Sequence, residues 1–82
     1  MNTTKNEIVM ALKSGTCTFT YKKMDGDVRV AMGTLNPNLI PAEARANMDT
    51  NTPGNVIKYY DMGAKGWRSF LTENVQTFSI PA

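Results

Sequence analysis

The chain has 82 residues, nine Lys and Arg against seven Asp and Glu for a formal net charge of +2, no histidine and one cysteine. A chain this short is a single domain, residues 1–82, because separate cores arise only well above this size. Without histidine there is no Ser-His-Asp or Cys-His nucleophile system, and one cysteine gives neither a zinc site nor an internal disulfide. The expectation is therefore a protein that is not an enzyme, with no catalytic residues, metal or cofactor.

The first predicted element is a helix at about residues 4–14. Thr4 stands where a cap is wanted, and Glu7 three residues later completes a capping box. Ile8 and Leu12 share one face, Val9 and Ala11 widen it, and Gly15 follows where a left-handed C-terminal cap is usual. The start of the chain lacks the apolar run of a signal peptide, and no segment reaches membrane-spanning length. A cytoplasmic location is expected, with Cys17 as a small buried hydrophobe.

From Thr16 the period changes to two, which predicts a hairpin over about 16–35. Cys17, Phe19 and Tyr21 point one way and the threonines the other. Asp25-Gly26 marks the turn, read as one in which both central residues take positive φ. Val28, Val30 and Met32 share a face of the second strand, and Met10 and Met32 are read as core filler. Residues 36–55 hold Pro37, Pro41 and Pro53 around a polar stretch. This is expected to be mainly a long loop with a short helical turn near Glu43, a tolerated insertion rather than a working part. A second hairpin is predicted over about 56–71, turning at Met62–Gly66. A tight turn at Thr72–Asn74 leads to a last strand at about 75–80. The class is all-β with one N-terminal helix, and five short strands suffice to close a small barrel that leaves no edge exposed.

Two segments carry a resemblance. Val30-Ala31-Met32-Gly33-Thr34-Leu35-Asn36-Pro37-Asn38-Leu39-Ile40-Pro41, and then Tyr60-Asp61-Met62-Gly63-Ala64-Lys65-Gly66-Trp67-Arg68-Ser69-Phe70 running on to Val75, resemble the WYL-related, Sm-like SH3-barrel family of small phage proteins. The resemblance implies a five-stranded SH3-like or Sm-like barrel with an N-terminal helix and a phage origin, and no particular activity. In the broader WYL domains a similar motif implies nucleotide or single-stranded nucleic-acid ligands. Arg68, Phe70 and Val75 match it, whereas Leu71 and Asn74 stand where Arg is usual. Both departures remove positive charge from the surface that would meet phosphate.

The candidate contact residues are Trp67, Arg68, Tyr60, Lys58, Arg29 and Lys65. An exposed Trp67 beside Arg68 would stack a base and pair a phosphate. The alternative is a core Trp67 with Arg68 ion-paired to Asp61. Tyr59 and Tyr60 are adjacent on one strand, so one faces the core, and Tyr60 is expected to be the exposed ring. Lys22, Lys23, Arg29, Lys58 and Lys65 form a basic patch if the outer faces of the hairpins adjoin, and otherwise an ordinary solvated surface. Met24, Met48 and Met62 are expected at the surface, where flexible thioethers suit protein contacts. The leading functional expectation is a phage accessory, host-takeover or anti-defence protein that binds a host or phage protein stoichiometrically. The other two are a nucleotide-binding sponge or sensor and a direct single-stranded nucleic-acid binder. A homo-oligomer is expected from strand edges in such barrels.

Overall fold

A computed structural model describes residues 4–48 and 51–79. The order is α1 (Lys5–Ser14), β1 (Cys17–Lys22), β2 (Val28–Thr34), a 3-10 turn (Pro37–Leu39), α2 (Ala42–Arg45), β3 (Val56–Asp61), β4 (Gly66–Leu71), a second 3-10 turn (Thr72–Asn74) and β5 (Val75–Ser79). Ile80, to which the last strand was expected to run, lies outside the described residues. The five strands form one antiparallel sheet in the order β4-β3-β2-β1-β5 around a common core, the small SH3/Sm-like barrel. Among the described residues no helix is long and apolar enough to cross a membrane.

Local chemistry accounts for the first helix. The Thr4 hydroxyl accepts from the Glu7 N–H, and the Glu7 carboxylate accepts from the Thr4 N–H. Ile8 and Leu12 are buried in the core. The helix does not end as expected, because Gly15 has φ 168°, an extended backbone rather than a left-handed cap. Its last carbonyls are instead met from the end of β2. The Thr34 hydroxyl lies 2.9 Å from the Gly15 oxygen and 3.2 Å from the Leu12 oxygen, and the Leu35 N–H donates to Leu12 at 2.8 Å.

The β1 alternation is realised: Cys17, Phe19 and Tyr21 are buried. Phe19 is the hub, with ring centroids 5.1 Å from Tyr59, 5.1 Å from Phe70 and 5.3 Å from Phe78. The β1–β2 turn departs from the expected type. Gly26 has φ 95° and Asp25 does not have positive φ, while the Gly26 N–H donates to Lys23 and the Lys23 N–H to Asp27. This is a three-residue loop that ends in a left-handed glycine bulge.

The reading of Met10 and Met32 as core filler is corrected: they are 71% and 51% exposed. On β2 the inward positions are Arg29, Ala31 and Gly33, and Val28, Val30 and Met32 face out. The reason is space. A Cβ on Gly33 would lie 2.3 Å from Tyr59 Cδ2 and 3.1 Å from Phe19 Cε1, so the rings already fill the volume that a larger side chain would need.

Among the described residues the ladder does not close on itself, so the expectation that no edge is exposed is also corrected. β4 and β5 end the strand order and each pairs with a single neighbour. Side chains join the two ends, Phe19 touching both Phe70 on β4 and Phe78 on β5. The β2–β3 ladder is short, holding only Gly33↔Asp61 and Thr34↔Tyr60 before Met62 N–H donates to Met32.

Candidate functional site

A cleft of about 590 Å³ lies between the β1–β2 hairpin and β4. That volume is within the range of ligand-holding clefts. Its apolar wall comes from Tyr21, Met24, Val56, Phe70 and Leu71, and Tyr21 and Phe70 stack with centroids 5.0 Å apart. Its rim carries Lys22, Lys23, Arg29 and Arg68, with Asp25 as the acidic member. Lys23 Nζ lies 3.6 Å from Asp25, and Arg29 is held by Asp61. Among the described residues no carboxylate lies within ion-pair distance of Lys22 or Arg68. The cleft is therefore apolar inside and positive at its mouth.

A buried network sets the position of Arg29. Its Nη2 and Nε donate to Asp61 Oδ2 at 2.9 and 3.2 Å. The Tyr59 hydroxyl donates to the same oxygen at 3.0 Å, and its own oxygen lies 3.0 Å from the Tyr21 hydroxyl. Because the Tyr59 proton is committed to Asp61, Tyr21 is the donor to Tyr59. The Ala64 N–H donates to Asp61 Oδ1 at 2.9 Å. Burial alone would raise the Asp61 carboxyl, but the bonds from Ala64, Arg29 and Tyr59 outweigh it and hold the group below its ordinary value. Burial pushes the Tyr59 phenol well above its ordinary range, with the Tyr21 and Asp61 contacts acting in the same sense.

The candidate contact residues fall into separate places. Arg29 and Arg68 meet at the cleft. Arg68 does not pair with Asp61; its Nη1 donates to the Trp67 carbonyl at 2.9 Å, and Arg29 is the Asp61 partner. Trp67 is half-buried on the outer face of β4, where its Nε1 donates to the Ala44 carbonyl in α2 at 3.1 Å. Lys58 Nζ lies 4.9 Å from the centre of the Trp67 ring and donates to the Asn47 carbonyl at 2.7 Å. The reading of Tyr60 as exposed is corrected. It is 5% exposed and meets the Trp67 ring edge-on at 5.6 Å, while Tyr59 fills the barrel interior. Both tyrosines can be buried because the 36–48 segment, tied down at Ala44 and Asn47, covers the outer face of this hairpin. Lys65 sits in the exposed β3–β4 turn with φ 55°, away from the cleft lining.

The basic patch divides in the same way. Lys22, Lys23 and Arg29 stand together at the cleft, whereas Lys58 is engaged on the opposite face of β4. Met24 is 86% exposed at the cleft rim, and Met48 and Met62 are half-buried. The apolar wall and the Asp61 network escape the sequence reading, because both join segments about thirty or more residues apart. One signal did point there: Arg68, Phe70, Leu71 and Asn74, positions of the broader WYL motif, all line the cleft.

No curated protein and no solved structure matches the chain. A family model described as WYL_2, Sm-like SH3 beta-barrel fold, matches residues 5–76. With that match spanning nearly the whole chain, and with a five-stranded barrel behind an N-terminal helix, the protein belongs to the WYL_2 family of Sm-like SH3 β-barrels.

Proposed function

We propose that this domain is a non-catalytic binding module that holds a partner protein stoichiometrically in the cleft between the β1–β2 hairpin and β4. The observation that carries the reading is the lining itself, aliphatic and aromatic walls under a rim in which Lys22 and Arg68 lack a carboxylate among the described residues. An apolar centre with a charged rim is the usual anatomy of a protein contact. In the setting that the resemblance implies, the module is a phage-encoded accessory or anti-defence factor in the host cytoplasm, acting by occupying a host or phage protein.

The nucleotide-sponge and single-stranded nucleic-acid readings call for an open ring on which a base stacks. Trp67 has Lys58 over its ring and its Nε1 engaged, Tyr60 is buried, and the Tyr21 and Phe70 rings of the cleft wall are stacked on each other and only 3% and 5% exposed, too little surface for a base to stack on. These features favour a protein ligand over a base.

The test is capture from host lysate by the wild-type protein and by a Lys22→Glu/Arg68→Glu variant, with thermal melts against nucleotides in parallel. A 1:1 complex formed by the wild type and lost in the variant is expected, with no nucleotide shift. Capture that the variant leaves unchanged, or a melting shift with a nucleotide at millimolar concentration and no captured protein, overturns the reading.

A further inference from the structure

The cleft runs beside a strand edge that the fold leaves open. β4 pairs with β3 through Val56↔Leu71 to Asp61↔Gly66 and, among the described residues, has no neighbour on its other side. The ladder continues to a Thr72 N–H bond to the Asn55 carbonyl at 3.0 Å, which makes that pair, and every second pair from it, the hydrogen-bonded ones. Phe70 and Arg68 therefore turn their backbone groups towards β3. Trp67, Ser69 and Leu71 turn theirs away from it. Four consecutive β4 residues, Arg68 to Leu71, line the cleft, so this open edge faces into it.

One side chain already occupies part of that edge. Arg68 Nη1 donates to the Trp67 carbonyl at 2.9 Å, an outward-facing acceptor of the row. A charged residue placed in this way blunts an edge against indiscriminate pairing. It also leaves a bond that an incoming strand can exchange: the strand's N–H takes the Trp67 carbonyl, and a carboxylate on the strand takes the guanidinium.

We propose that a segment of a partner protein enters the cleft as an extended strand, adds to the free edge of β4, and carries an acidic and an apolar side chain two residues apart. The proposal rests on the reading of the cleft as a protein-binding site and specifies its occupant. Side chains of an added strand alternate, so those on the cleft side stand opposite Arg68 and Phe70, at a spacing of two. The carboxylate belongs opposite Arg68, with Lys22 across the mouth, and the apolar group belongs opposite Phe70, between the hairpin and Leu71. Charge argues for a different chain as the occupant. The other open edge strand here, Val75–Ser79, has no acidic side chain, and pairing β4 with β4 of a second copy would bring like charges together.

The probes are three blocked octapeptides: one of repeating Glu-Thr-Val-Thr, which sets glutamate and valine two residues apart on one face, one with lysine in place of each glutamate, and one a glutamate–valine peptide of the first kind N-methylated at its threonines to remove one row of N–H donors. Binding is read by Trp67 emission, since Trp67 lies on β4 and is the chain's one tryptophan, and by amide exchange at Ser69 and Leu71. The glutamate–valine peptide is expected to bind and to slow exchange at both amides. N-methylation and the exposed substitution Arg68→Gln are each expected to weaken binding about tenfold, the scale of one charge-assisted hydrogen bond or a pair of neutral ones. The lysine–valine peptide is expected not to bind.

Equal binding of the N-methylated peptide overturns strand addition and leaves charge alone as the attraction. Equal binding of the lysine peptide overturns the assigned chemistry. Absence of amide protection with every peptide, while lysate capture still depends on Lys22 and Arg68, overturns the proposed occupant but not the protein-binding reading. Concentration-dependent protection of Ser69 and Leu71 without any peptide overturns it in favour of a second copy.

Discussion

Gly33→Ala is the sharpest probe of the core. The new methyl would lie 2.3 Å from Tyr59 Cδ2, 2.9 Å from Cε2 and 3.1 Å from Phe19 Cε1. Ordinary carbon contacts begin at about 3.5 Å, so the ring must retreat by about 1 Å. Tyr59 is fully buried, and its hydroxyl is tied to Tyr21 and Asp61 at 3.0 Å each, so a retreat strains two hydrogen bonds as well as the packing. Overpacking costs about 1–3 kcal/mol and each strained bond about 0.5–1.5 kcal/mol, against a gain of about 0.4–1 kcal/mol from a stiffer unfolded chain. The expected loss is about 3 kcal/mol, a large share of the roughly 4–12 kcal/mol available to a chain of this length. Urea unfolding followed by circular dichroism reads it directly, and the melting point should fall by roughly 12–24 °C. Gly33→Ala combined with Tyr59→Leu should cost less than the sum of the single changes, because the smaller side chain vacates the space. A Gly33→Ala protein within about 1 kcal/mol of wild type would refute the claim that the rings and strand β2 are in forced contact.

Further outcomes follow from the Asp61 network, the buried thiol and the end of α1. Asp61→Asn should cost about 2–3 kcal/mol in urea unfolding, since Arg29 and Tyr59 lose a charged acceptor and Arg29 is one-third exposed. The folded Asp61 carboxyl lies below its ordinary value of 3.8, so the stabilisation it supplies is present above that pH and is lost as pH falls through the folded value. The acid arm of the stability curve should accordingly flatten in Asp61→Asn. Burial raises the Cys17 thiol from 9.0 to about 11, so the native protein should react slowly with thiol reagents at pH 9 and stability should decline as pH rises from 9.0 towards 11. Thr34→Val keeps the shape but removes the hydroxyl that meets Gly15, Leu12 and the Asn36 N–H, and should cost about 1–3 kcal/mol by thermal melts.

What the sequence disclosed follows the range of each interaction. The capping box at Thr4 and Glu7 acts over three residues and is realised as read, and the β1 alternation needs only a neighbouring core. The orientation of β2 was not legible. Val28, Val30 and Met32 are the apolar set, yet the inward positions must be small because Tyr59 and Phe19, from other strands, already fill the interior. Tyr60 was misplaced for a related reason. Strand alternation leaves one tyrosine outside the barrel, and only the distant 36–48 segment makes that outside a second interior. The cleft joins the β1–β2 turn to β4, segments far apart in the chain, and no property of either alone specifies their meeting. Its charges were visible one at a time, as Lys22, Lys23, Arg29 and Arg68, but not their convergence.

The end of α1 has a consequence for how the molecule opens. Its final carbonyls bond to Thr34 and Leu35, which stand where β2 meets β3. A ten-residue helix is too short to persist alone in water. Peeling it away would strip the Thr34 hydroxyl and the Leu35 N–H of those acceptors and uncover Ile8 and Leu12 together with the sheet junction. The helix and the two strands it completes thus form one cooperative unit, and the slowest-exchanging amides of α1 should exchange only through the opening that releases the β2–β3 junction. The more independent motion belongs to β4 at the edge of the same sheet, held by β3 alone among the described residues.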